Sequence, residues 1–101
     1  MGDLGGGTDA IDFTAGNVVS ATVSTSTQTF TFTNPPANGI AGSFTLFLTN
    51  GGSQTVNWPG AVDWAGGSAP SLTSSGVDVL TFSTLDAGTI WYGFAAGTDM
   101  K

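Results

Sequence analysis

The acidic groups of this 101-residue chain are all Asp, at positions 3, 9, 12, 63, 78, 86 and 99. They are the side chains that could move a proton or hold a metal, because His and Cys are absent. A calcium site needs about six to eight oxygens from a dense loop. The sequence has no Asp-x-Asp-x-Asp-Gly run, so its Asp read as solvated surface and turn residues that keep a neutral protein soluble. No metal and no cofactor is expected. The second chemical resource is aromatic. Trp58, Trp64, Trp91 and Tyr92 could form a platform for a sugar face, or could pack into a core or a subunit interface. Trp91 and Tyr92 are adjacent, so on a strand they point to opposite faces.

One carboxylate sits in a suggestive setting. Leu85-Asp86-Ala87-Gly88-Thr89 has the outline of the Asp-Thr/Ser-Gly loop of retroviral-type aspartic proteases, where a dimer pairs two Asp around a shared proton. Ala87 stands where that loop needs a hydroxyl. The competing reading is a hairpin turn, which Asp and Gly favour by themselves. A dimeric aspartic protease is therefore the remote alternative, and the expectation is a protein that is not an enzyme.

Composition narrows the field further. Formal net charge is −6, and the one basic side chain is Lys101. Without a basic patch there is nothing to hold phosphates, so neither nucleic acid nor an anionic membrane is an expected partner. No run approaches the roughly 20 apolar residues of a membrane span. Met1–Gly7 lacks the charged and apolar regions of a signal peptide. Yet 40% of residues are hydrophobic and 11% aromatic, so the chain can build a core. Thr and Ser together fill 26 positions.

The elements that must position these residues are strands. Phe30 and Phe32 alternate with Thr29, Thr31 and Thr33, and Phe44, Leu46 and Leu48 repeat the pattern. Leu80 pairs with Phe82 on one face, and Ile90, Tyr92 and Phe94 share another. Turn residues separate the runs at Asn34-Pro35-Pro36, Asn50-Gly51-Gly52, Trp58-Pro59-Gly60, Gly66-Gly67 and Asp86-Ala87-Gly88. Strands are predicted near 10–14, 18–24, 28–34, 43–49, 54–58, 61–64, 77–84 and 89–96. About eight short strands predict an all-β fold: a single-domain antiparallel β-sandwich, jelly-roll-like. Residues 1–8 read as a flexible N-terminal arm and 9–101 as the β-sandwich domain. No internal repeat of fixed period stands out, which argues against a solenoid.

Several segments together carry a likeness. They are Ser43-Phe44-Thr45-Leu46-Phe47-Leu48-Thr49-Asn50-Gly51-Gly52, Thr55-Val56-Asn57-Trp58-Pro59, Val62-Asp63-Trp64, Val77-Asp78-Val79-Leu80-Thr81-Phe82 and Trp91-Tyr92-Gly93-Phe94. Their order resembles small β-sandwich modules of bacteriophage virion structural proteins, especially the C-terminal modules of tail-fibre-like chains. The likeness implies a virion structural protein on the particle surface, most simply a tail-fibre or tail-tip module used in host attachment. It also implies a homotrimer, with other virion proteins (tail or major capsid) and a host cell-surface glycan as further partners. Loops 50–53, 59–61 and 65–76 would present the contact surface. A self-contained module could instead serve as a capsid decoration (cement) protein, its arm ordering on the shell. The family supplies no catalytic residues to carry over.

Overall fold

A computed structural model describes residues 2–4, 6–24 and 26–101, with residues 2–4 and Ala15 described as backbone only. Its strands are β1 (Gly2–Leu4), β2 (Gly7–Asp12), β3 (Val18–Val23), β4 (Gln28–Thr33), β5 (Gly42–Thr49), β6 (Val56–Asn57), β7 (Val62–Trp64), β8 (Val77–Thr84) and β9 (Trp91–Met100). Single 3-10 turns lie at Phe13–Ala15, Gly51–Ser53 and Ala65–Gly67. Each predicted segment overlaps a strand, although Phe13 and Thr14 of the first form a 3-10 turn, because side-chain alternation marks a half-buried pleat whichever way the strand runs. Pairing also extends into the stretch read as an arm. Gly2–Leu4 align with Ala21–Val23, and β2 opens at Gly7. Met1 and Gly5 of that stretch lie outside the described residues.

The strands form two sheets, one of six in the order β1-β3-β5-β8-β9-β7 and one of three in the order β2-β4-β6. The antiparallel expectation fails here. In the small sheet both pairings are parallel, and in the large sheet β1–β3, β3–β5 and β7–β9 are parallel as well. Antiparallel pairing is confined to β5–β8 and β8–β9. The reason is connectivity. From β1 to β6 the chain alternates between the two sheets, so each strand meets its same-sheet neighbour one full winding later and pointing the same way. The antiparallel jelly-roll reading fails on the same ground. Gly2 lies opposite Ala21 and Gly7 opposite Gln28, steps of 19 and 21 residues. Val18 lies opposite Thr45 and Gln28 opposite Val56, steps of 27 and 28. Unequal windings leave no fixed period for a sequence search to find.

The core fills the space between the sheets. Ile11 and Phe30 enter from the small sheet, and Ala21, Val23, Phe44, Leu46, Leu48, Leu80, Phe82 and Trp91 from the large one. Phe32 stands edge-on to Phe44 and Trp91 at centroid distances of 5.0 and 5.3 Å. Trp58 stacks on Phe30 at 5.4 Å and meets Trp64 edge-on at 5.4 Å. Such offset and T-shaped contacts suit the ring quadrupole and add to simple burial. Gly93 makes this arrangement possible. A Cβ there would lie 3.0 Å from the Phe82 ring and 3.1 Å from the Trp64 ring.

Candidate functional site

The sheets sort the four sequence-level aromatics into two groups. Trp91 is 2% exposed, with Trp58 and Trp64 packed against the same core. Trp91 is thereby withdrawn from the surface, while Trp58 and Trp64 stay partly exposed at its edge. Tyr92 turns the other way and is 48% exposed. Phe94 follows it on the same side of β9 at 46%, and Phe47 on β5 is also exposed. The outward face of the large sheet is therefore its aromatic and hydroxyl side.

Register gives this face an ordered layout. Ser43 of β5 lies opposite Ser83 of β8, Ser83 opposite Tyr92 of β9, and Tyr92 opposite Asp63 of β7. Directly opposed residues point to the same side of a sheet. The four therefore form one row across four strands. The next row holds Thr45, Thr81 and Phe94, and a further pair is Phe47 with Val79. A hollow of about 180 Å³ lies at the Ser43 end, lined by Ala41, Gly42, Ser43, Ser83, Thr84 and Leu85. Asp63 is the one charged residue of the row, and it is exposed. A second hollow, about 310 Å³, sits where β2 meets β3, bounded by Ile11, Asp12, Gly16 and Val18–Ser20.

Asp86, Asp12 and Asp99 are occupied by their own surroundings. Asp86 accepts from the Ile90 amide at 3.0 Å and the Thr84 hydroxyl at 3.2 Å, which closes the β8–β9 loop. Ala87 and Gly88 in that loop both have positive φ, 57° and 79°. Asp12 accepts from the Thr14 hydroxyl at 2.6 Å and the Thr14 amide at 2.9 Å. The Thr14 hydroxyl, then Asn34 and the Thr14 amide, hold its carboxyl below the usual range. Asp99 pairs with Lys101 at 3.3 Å.

Asp78 departs from the surface reading given to the Asp as a set. It is fully buried and accepts from the Thr73 amide (2.7 Å), the Thr73 hydroxyl (2.7 Å) and the Asp99 amide (2.9 Å). Burial pushes its carboxyl up, but these three hydrogen bonds together outweigh that and hold it below the usual range. Among the described residues no three carboxylates gather into a cluster.

The loops expected to present a binding surface partly brace one another. The Asn50 amide donates to the Gly76 carbonyl at 2.7 Å, and the Gly52 amide to that of Thr73 at 3.0 Å. Gly51 is buried, where a Cβ would meet Leu48 at 2.7 Å. Sequence reasoning missed Asp63, Ser43 and Ser83 as companions of Tyr92. Alternation alone sets Asp63 opposite in facing to Trp64, but which strand lies beside which is not written in a period. Comparison with protein-family models, with curated proteins and with solved structures finds no significant match.

Proposed function

We propose that the chain is a non-enzymatic structural module of a bacteriophage particle, a tail-fibre or tail-tip module that contributes to host attachment. The observation that carries the reading is the outward face of the six-stranded sheet. It presents Thr and Ser hydroxyls and the half-exposed rings of Tyr92, Phe94 and Phe47 on a hydrogen-bonded scaffold. Apart from Asp63 at its β7 end, such a face can meet an uncharged surface that supplies hydroxyl donors without stranding ions. Rigid strands hold its groups in place better than loops would. Asp12, Asp78 and Asp86 are engaged in capping and bracing, which fits a structural role. The sequence likeness to phage virion modules supplies the particle and the trimeric state. A trimer would multiply weak surface contacts by avidity.

Electron microscopy of intact virions carrying a labelled copy tests the reading. Label on the tail is expected. Label on the head overturns it in favour of the capsid-decoration role. Light scattering of the purified chain tests the trimer, and a monomer at the highest soluble concentration removes it.

A further inference from the structure

We propose that the row Ser43–Ser83–Tyr92–Asp63, with Phe94 beside it, is a subsite for an uncharged oligosaccharide. The inference rests on the attachment reading above and assigns the residues that would make contact. Neighbouring strands are about 4.8 Å apart, so a row across four strands spans roughly 14 Å. That is the length of a short oligosaccharide lying across the strands.

The chemistry of the row matches the two sides of a sugar. A pyranose has a C–H face and a rim of hydroxyls that both donate and accept. Tyr92 and Phe94, two residues apart on β9, supply half-exposed ring surface for the C–H face. Asp63, one strand away, is a pure acceptor when ionised and can take two hydroxyl donors at once. Ser43 and Ser83 at the other end can donate or accept, and they border the 180 Å³ hollow into which a ring substituent could project. Among the described residues, none of these four side chains is spent on a hydrogen bond within the chain.

Charge selects an uncharged ligand over the alternatives. An anionic glycan would meet Asp63 on a molecule of net charge −6. A second copy of the chain would bring one basic side chain, Lys101, which lies beside its own Asp99 at 3.3 Å, against seven Asp. Burying that carboxylate against a like-charged partner is costly. A sugar brings hydroxyl donors and no charge.

The test is amide chemical-shift mapping on the isotope-labelled full chain, titrated with lactose, maltose and N,N′-diacetylchitobiose, and separately with 3′-sialyllactose. At least one neutral sugar is expected to shift amides around Ser83, Tyr92–Phe94 and Asp63, with sialyllactose weaker. Tyr92→Ala and Asp63→Asn should each weaken binding about tenfold or more. Tyr92→Phe should retain most of it, and Phe47→Ser, two rows away, should leave it unchanged. Unchanged urea midpoints show that the variants still fold. The subsite is overturned by no shifts with any neutral sugar, by shifts centred elsewhere, by full binding in Tyr92→Ala, by preference for sialyllactose, or by self-association through this face without sugar. Tail label in virions without a sugar response removes the subsite and keeps the attachment reading. A sugar response in the row with label on the head does the reverse.

Discussion

Asp78 offers the sharpest test of how this fold is held. Its carboxylate is fully buried at the start of β8 and ties three elements together: Thr73 in the preceding loop, β8 itself, and Asp99 near the end of β9. Hydrogen bonds to a charged acceptor contribute about 1.5–3 kcal/mol each, and a partly buried amide left without its acceptor costs about 1–3 kcal/mol. Asp78→Ala strands the Thr73 and Asp99 amides, so a loss of about 2–6 kcal/mol is expected. Asp78→Asn keeps one oxygen for Asp99 and the Thr73 hydroxyl but turns an NH₂ toward the Thr73 amide, for a loss of about 1–2 kcal/mol. Either is a large share of the roughly 5–15 kcal/mol that holds a domain together. The pH dependence follows from the direction of the shift. The folded carboxyl titrates below its unfolded value, near 3.9, so the native state binds fewer protons there. The stabilisation is present above the unfolded value and is lost as pH falls through the folded one. Urea unfolding followed by the fluorescence of the three core-packed Trp, repeated from neutral pH into acid, measures it. The gap between wild type and Asp78→Asn should narrow as the carboxyl protonates. A gap that stays constant into strong acid, or a neutral-pH midpoint unchanged by Asp78→Ala, would refute the reasoning.

Three further substitutions probe packing and backbone. Gly93→Ala drives a methyl against Phe82 and Trp64 at about 3 Å and should cost about 1–3 kcal/mol, read as a lower urea midpoint with altered near-ultraviolet dichroism. Phe30→Ala empties the ring on which Trp58 stacks and should cost about 3–5 kcal/mol, visible in thermal melts. Ala87→Gly frees a residue held at φ 57° and should raise the unfolding midpoint by up to about 1 kcal/mol equivalent, with no change in the spectrum of the folded state.

The strands were legible and their directions were not, for one physical reason. Alternation reports which face of a pleat is buried, and it does so equally for both orientations. The segment Val77–Thr84 is therefore bounded in the structure where the pattern bounded it. Parallel pairing, by contrast, depends on where the chain travels between strands, and windings of unequal length hide it. The aromatics show the same split. That Trp91 and Tyr92 face opposite ways follows from adjacency. That Trp91 is the inner one is settled by its partners Phe32 and Phe44 on other strands, which adjacency does not reveal. Asp78 lies on the same buried face as Leu80 and Phe82. The surface reading drawn from composition passed over that signal, and the burial is tolerated because Thr73 and Asp99 supply the donors. The candidate row was the least legible part. Its members come from β5, β7, β8 and β9, and only Tyr92 and Phe94 share a strand.

Parallel windings also create a hazard that Asp9 answers. β2 is the outer strand of the small sheet, with six residues whose far edge no strand of the chain pairs among those described. An open edge of that length is a template for adding another chain. Asp9 lies two residues from buried Ile11, hence on the inward side, and accepts from the Gln28 side-chain amide at 3.0 Å. An inward carboxylate on an edge strand opposes strand addition, because an incoming strand would desolvate it further while bringing no cation. Asp9→Val removes that obstacle and raises strand propensity, while Gln28 keeps its bond to the Thr29 carbonyl at 3.1 Å. The variant should fold, with a urea midpoint near or above that of the wild type. It should nonetheless form larger species on concentration, read by light scattering and thioflavin fluorescence. Asp9→Asn, which loses the charge and keeps the shape, should fall between the two. If Asp9→Val stays as monodisperse as wild type across the same concentrations, the carboxylate is not what protects this edge.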